Sequence, residues 1–137
     1  MMELTQTHLR YLLAIYDLAQ TTPGVSAGDV SKVLAVSKPS VTRMMGLLME
    51  RGLLVRERYG KVFLTDAGVL AARDYQGRME RLRELIPKMG LSLSEEELAD
   101  TAYLLAAALP EHATSGEIEG PTDGGSPEKA FSKKVNA

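Results

Sequence analysis

The chain has 137 residues, of which 45% are hydrophobic and 25% charged, the composition of an ordinary globular protein of one domain. It contains no cysteine, which excludes disulfides and thiolate chemistry. The sequence shows no apolar run of about 18 residues and no signal-peptide pattern, so a cytoplasmic location is expected.

Charge is distributed unevenly along the sequence. The net charge is −2, yet residues 27–63 hold seven basic and three acidic side chains, a balance of +4. Residues 76–137 hold seven basic and eleven acidic side chains, a balance of −4. A basic region beside an acidic remainder suits a localised contact with phosphate groups, although solvated charge clusters are also common.

Helical spacing of apolar residues predicts three short helices in the first part of the chain. The first begins after Thr5, a plausible N-cap, and the second begins after Ser26. A tight turn leads to Ser37, which caps a third helix with Pro39 in its first turn. Gly52 ends that helix, because glycine readily adopts the left-handed conformation found beyond helix C-termini.

After Gly52 the periodicity changes from helical to extended. Residues 53–58 and 61–64 are β-prone and are joined at Tyr59 and Gly60, which predicts a β-hairpin. Three short helices followed by a hairpin is the element order of a winged helix-turn-helix.

Two more helices are predicted after the hairpin. Thr65 or Asp66 caps a long fourth helix whose apolar seam has residues alternately four and three positions apart: Tyr75, Met79, Leu82, Ile86 and Met89. Ser94 and Glu97 form a capping box for a fifth helix, which ends before Pro110. From residue 111 large apolar side chains become rare, as is typical of a flexible tail.

The predicted fold class is mostly α with a small β-hairpin. We expect a winged helix-turn-helix DNA-binding domain over residues 1–66, a helical dimerisation region over 67–110 and a flexible tail over 111–137.

The third helix and the hairpin carry the candidate DNA-binding residues. The N-terminal end of a recognition helix enters the major groove, where short polar and basic side chains can contact bases and phosphates. The basic side chains of the hairpin would form a wing over the DNA backbone or the minor groove. The candidates are Lys38, Pro39, Ser40, Thr42 and Arg43 on the helix, and Arg56, Arg58 and Lys61 on the hairpin.

Three stretches carry a resemblance to a known family. They are YLLAIYDLA from Tyr11, VSAGDVSKVLAVSKPSVTRMMGLLMERGLL from Val25, and KVFLTDAG from Lys61. Together they resemble the N-terminal domain of the diphtheria-toxin-repressor and manganese-transport-regulator family (DtxR/MntR). The likeness continues more weakly to about Leu109 and does not reach the tail. It implies a dimeric transcriptional repressor that binds double-stranded DNA under the control of a divalent metal.

The resemblance also implies where metal ligands would lie. The family's ligand positions fall here on Arg10, Leu13, Met79, Ala102, Leu105 and Ala106. Apolar side chains offer a hard cation no oxygen or nitrogen, and an arginine repels it. Arg10 would instead pair with an acid such as Glu80 or Asp100. We therefore expect a divergent member without metal ligands and without a metal cofactor, whose DNA binding does not depend on manganese or iron.

The fifth helix is expected to form a homodimer contact. Its segment TAYLLAAAL is apolar around the whole circumference of the helix. A single domain of this size can cover only one face of such a helix, so a second apolar surface is needed for the other face. The alternative to a homodimer contact is that the fifth helix is buried only against the first and fourth helices of its own chain. The expected contact residues are Leu98, Ala102, Leu105, Ala106 and Leu109.

Two other functions remain open. The protein could be a MarR-like winged-helix regulator that responds to a small ligand, or a winged-helix protein-interaction module that does not bind DNA. An enzyme is not expected, because no phosphate-binding loop and no nucleophile beside a histidine is present in the sequence.

Overall fold

The computed structural model of the chain describes residues 4–114. Its helices and strands, in chain order, are α1 Gln6–Ala19, α2 Ala27–Leu34, α3 Lys38–Glu50, β1 Leu54–Arg56, β2 Val62–Leu64, α4 Asp66–Leu85 and α5 Glu95–Ala108. Three short 3-10 turns lie between or after them, at Arg58–Gly60, Ile86–Met89 and Glu111–Thr114. The mostly helical, winged fold class predicted from the sequence is confirmed.

Each predicted helix start is stabilised by a side-chain cap. The hydroxyl groups of Thr5, Ser26 and Ser37 accept hydrogen bonds from backbone amides three residues further on, and Ser94 does the same at α5. These bonds satisfy amides that have no partner inside the helix, which is why the helices begin at these residues. Gly52 lies just beyond α3 with a φ of 78°, as its role in ending the helix requires.

The hairpin is shorter than the sequence predicts. β1 and β2 pair antiparallel, with Leu54 opposite Leu64 and Arg56 opposite Val62. A 3-10 turn at Arg58–Gly60 takes up the residues between them, and Tyr59 adopts a left-handed conformation there (φ 62°). Val25 bridges to Val62, so this hairpin, which we call the wing, is fastened to the segment that leads into α2.

α1 lies at the centre of the core. Leu9, Leu12 and Ile15 have no exposed surface, and the helix contacts α2, α3, α4, α5 and β2. A side chain that is fully removed from water contributes about 1.5–3 kcal/mol to stability. α1 thus joins the helix-turn-helix to the two C-terminal helices.

Two side chains that the sequence pattern predicts to be buried are exposed in the structure. The helical spacing of α2 predicts that Val33 faces inward, but its side chain is 57% exposed. Met89, expected in the seam of the fourth helix, is 65% exposed, because α4 ends at Leu85 and the following 3-10 turn changes the side-chain direction.

The region predicted as a tail begins with a folded turn. Arg78 donates to the carbonyl of Glu111 at 3.5 Å, and Arg81 donates to the carbonyl of Thr114 at 2.6 Å. Residues 111–114 therefore pack on α4, while the rest of the predicted tail, 115–137, lies outside the described residues. Among the described helices, none has the length and apolar character needed to cross a membrane.

Gly68, in the first turn of α4, lies close to the backbone of Leu53, the residue before β1. A Cβ atom at this position would lie 2.1 Å from the carbonyl oxygen of Leu53, which already accepts a hydrogen bond from the Thr65 amide at 3.0 Å. Because the obstacle is backbone, it cannot rotate away. Only glycine allows α4 to begin here.

Replacing Gly68 with alanine is expected to lower the free energy of unfolding by about 1–3 kcal/mol, the usual penalty for overpacking. The matched control is Gly77→Ala in the same helix, where an added Cβ meets no atom within 4 Å. This control should raise stability by about 0.5–1 kcal/mol. Urea denaturation measures both, and equal effects of the two variants would contradict the close approach.

His8 holds the N-terminus of α1 in a form that requires a neutral ring. Its Nδ1 accepts a hydrogen bond from the Thr5 amide at 3.0 Å, and the His8 amide donates to the Thr5 hydroxyl at 3.2 Å. Burial, helped by the charge of Arg51, lowers the pKa of His8 below its ordinary value of 6.5. The stabilising effect is complete above pH 6.5 and is lost as the pH falls through the lowered pKa.

We therefore expect the melting temperature to fall more steeply between pH 8 and pH 5 in the wild type than in His8→Gln. Glutamine can accept the same hydrogen bond but does not titrate in this range. Thermal unfolding followed by circular dichroism measures the difference. Parallel pH profiles for the two proteins would show that His8 has no such role.

Candidate nucleic-acid interface

One face of α3 presents a row of exposed polar and basic side chains. Lys38, Pro39, Thr42 and Arg43 are exposed, while Val41 on the opposite face is fully buried. Positions 38, 39, 42 and 43 lie one turn apart and so share a face of the helix. The core fixes the inner face of α3 and leaves the outer face free to enter a groove.

Ser40 differs from the other predicted residues of α3. Its side chain is half-buried, its amide donates to the Ser37 hydroxyl at 3.2 Å, and the two hydroxyl groups lie 2.9 Å apart in a hydrogen bond. Ser40 therefore belongs to the N-terminal cap of α3, and its hydroxyl already has a partner within the chain.

The wing carries the remaining predicted residues. Arg56, Arg58 and Lys61 are all exposed. Arg56 also donates from Nη1 to the carbonyl of Gly60 at 3.4 Å, which braces the turn. Tyr59, at the tip of the turn, was not singled out from the sequence, yet it is 92% exposed. The position of Tyr59 beside Gly60 in the predicted turn is the sequence feature that could have indicated its exposure.

The carboxyl group of Asp29, in the first turn of α2, is held in its ionised form by hydrogen bonds and by nearby basic side chains. The carboxylate of Asp29 accepts from the Ser26 amide at 3.2 Å, and this bond and the Ser26 hydroxyl lower the pKa of Asp29. The nearby charges of Lys61 and Lys32 lower this pKa further. The Asp29 carboxylate is thus stabilised chiefly within its own capping box at the start of α2.

The positions that the resemblance assigns to metal ligands form apolar core. Leu13, Met79, Ala102 and Ala106 are buried, and Leu105 packs partly against the same cluster. The part of the chain that the structure describes contains no group of three or more His, Asp or Glu side chains able to hold a metal ion. The donor set at these positions does not fit a divalent cation.

Arg10 links α1 to α5 as an ion pair. Its Nη2 lies 2.6 Å from a carboxylate oxygen of Asp100, and its guanidinium carbon lies 4.4 Å from the centre of the Tyr103 ring. Of the two acids named from the sequence, Asp100 is thus the partner in the structure. Both side chains remain partly exposed, at 33% and 58%.

The predicted dimer residues lie mostly on the inner side of α5. Ala102 and Ala106 are 0% and 1% exposed because their own chain covers them, so they have no surface left for a partner. Leu98, Leu105 and Leu109 are half-buried against the same core. The large apolar side chain that α5 exposes is Leu104, at 54%; Ala108 of the same helix is also exposed.

Comparison with known protein families identifies the N-terminal part of the chain. The model of the iron dependent repressor N-terminal DNA-binding domain matches residues 3–62, the range that contains α1, α2, α3 and most of the wing.

Solved structures with similar folds match a larger part of the chain than the family model does. The manganese regulator SloR is 23% identical over 80% of this chain and 49% of its own, with a TM-score of 0.64. ScaR with bound Zn²⁺ is 28% identical over 77% of this chain and 48% of its own, with a TM-score of 0.58. A hypothetical protein from Sulfolobus solfataricus is 21% identical over 79% of this chain and 81% of its own, with a TM-score of 0.61. The chain thus spans about half the length of SloR and ScaR.

These comparisons correct one expectation from the sequence. Sequence analysis predicted a regulator without a metal cofactor, and this prediction is contradicted by the similar proteins. SloR is a manganese regulator, MtsR is a metal-dependent transcriptional regulator, and the ScaR structure holds Zn²⁺. The prediction relied only on six ligand positions transferred from a resemblance.

Proposed function

We propose that the chain is a sequence-specific transcriptional repressor, not an enzyme; the match of residues 3–62 to the model of the iron dependent repressor N-terminal DNA-binding domain supports this proposal. The observation that carries this proposal is the exposed face of α3. It combines a basic side chain at each end with a threonine between them, on a helix whose other face is fixed in the core. A protein-interaction module would not need this polar, basic row.

Arg43 is the residue proposed to read the DNA sequence. Its exposed guanidinium group can donate two parallel hydrogen bonds to the O6 and N7 atoms of a guanine, a geometry that no other base offers. Lys38, nearer the helix N-terminus, is suited to a phosphate beside that base. Thr42 lies between them and can contact a base edge or a thymine methyl group.

Replacing Arg43 with alanine is expected to reduce affinity for the specific duplex by about 1–3 kcal/mol. The folded state should be unaffected, because Arg43 is exposed and its removal leaves no cavity. Fluorescence anisotropy with a duplex selected from a random pool measures the loss, and thermal unfolding controls for the fold. Unchanged affinity in a well-folded variant would remove Arg43 from the reading residues.

The wing is proposed to contact phosphates. Replacing Arg58 and Lys61 together with alanine should weaken binding to specific and random duplexes alike and reduce the slope of log K against log salt by about one to two. Lys88→Ala is the matched control, since Lys88 is exposed but lies outside α3 and the wing. A loss confined to the specific duplex would contradict this role.

We further propose that the chain functions as a homodimer. The exposed Leu104 on α5 and a row of exposed apolar residues at the α4–α5 junction support it: Leu85, Met89, Leu91 and Leu93. Exposed apolar side chains that lie close together can mark an interface between subunits. A two-fold dimer would also present two copies of α3 to a palindromic DNA site.

Leu104→Arg is expected to shift the protein towards monomer in sedimentation experiments, because a charge without a partner in an apolar contact costs several kcal/mol. Val33→Arg changes a similarly exposed aliphatic side chain on α2 and should leave the oligomeric state unchanged. A monomeric wild type, or equal behaviour of the two variants, would count against this dimer surface.

A further inference from the structure

Tyr59 combines an unusual backbone with an unusual exposure. Its φ and ψ are 62° and 24°, a left-handed conformation that a bulky side chain rarely adopts. Gly60, next to it, is also left-handed, but glycine tolerates this without cost. The chain therefore holds a tyrosine in a position that glycine or asparagine would occupy more readily.

The backbone of this turn is held by hydrogen bonds, from the Glu57 amide to the Lys61 carbonyl at 2.8 Å and from Arg56 to the Gly60 carbonyl at 3.4 Å, but the Tyr59 side chain is left without packing. At 92% exposure, less than a tenth of the Tyr59 surface is covered by its own chain. Among the large hydrophobic side chains of the described residues, none is more exposed. Residues that the surrounding structure holds in sparsely populated backbone conformations cluster at functional sites.

The surroundings of Tyr59 indicate its partner. The exposed cations Arg58 and Lys61 lie on either side of it in the chain, and Arg56 braces the same turn through the Gly60 carbonyl at 3.4 Å. These cations attract polyanions, and the exposed aromatic ring of Tyr59 lies between them in the chain. Lysine and arginine fix the distance to phosphates, while a flat ring can enter the groove between them.

We propose that Tyr59 is a specificity-determining residue that inserts its ring into the minor groove of the duplex bound by α3. The ring packs against deoxyribose and the groove walls. It therefore favours DNA sequences with a suitable groove width and does not read the hydrogen-bonding groups of the bases. Groove width depends on sequence and is smallest in A-tracts. The inference rests on the proposed DNA-binding function and adds to it a second, shape-dependent mode of reading.

Two substitutions separate the ring from the backbone. Tyr59→Gly removes the ring and relieves the left-handed conformation, so it should maintain or raise the melting temperature while lowering affinity for the selected duplex about fivefold or more. Tyr59→Phe keeps the ring and should stay within about twofold of the wild type. A residue with a purely structural role would change stability and DNA affinity in the same direction.

A fluorescence measurement tests the position of the side chain directly. The chain contains no tryptophan, so Tyr59→Trp introduces a single probe at the wing tip. Its emission should shift and become shielded from iodide when the full chain binds the selected duplex.

The outcomes are distinguishable. If the wild type binds no duplex, the proposed function itself fails. If the wild type binds and Tyr59→Gly binds equally well, or if the tryptophan stays open to iodide in the complex, the insertion of Tyr59 is overturned. If Tyr59→Phe is as weak as Tyr59→Gly, the hydroxyl group acts and packing of the ring does not.

Discussion

The burial of α1 is the constraint on which the rest of the fold depends. Its apolar residues contact the helix-turn-helix on one side and α4 and α5 on the other, and Leu9, Leu12 and Ile15 are fully removed from water. This packing sets the inner face of α3 through Val41 and Met45, and thereby fixes which side chains of α3 remain outside. The candidate DNA surface is a consequence of the core, because the face that does not pack is the face that can bind.

Local signals in the sequence were sufficient to predict the helices. The caps at Thr5, Ser26, Ser37 and Ser94 act on amides three residues away, so the information lies within a single turn. The wing was predicted from the same kind of evidence, a change from helical to alternating periodicity.

Features that depend on distant contacts were predicted less well. α5 is apolar on all its faces, so the sequence alone does not indicate which face packs against α1 and α4. In the structure Ala102 and Ala106 are buried and Leu104 is exposed. The left-handed backbone of Tyr59 was missed for a related reason. Left-handed positions are expected at glycine, and the turn has Gly60 beside it.

An ion pair and a cation–π contact join α1 to α5. Arg10 and Asp100 pair at 2.6 Å across this contact, with the Arg10 guanidinium stacked on Tyr103. Partly exposed ion pairs contribute only about 0–1 kcal/mol, so the contact is held chiefly by the buried alanines and leucines around it. Burial also raises the pKa of Tyr103 above its ordinary value.

The central claim is that α3 and the wing together form the surface that binds duplex DNA. Its most direct test is an NMR titration of the ¹⁵N-labelled chain with a selected duplex, with backbone amides as probes. Chemical-shift changes are expected to concentrate at residues 37–43 and 56–61, with α5 largely unchanged. Changes centred on α4 and α5, or no changes at low salt, would contradict it.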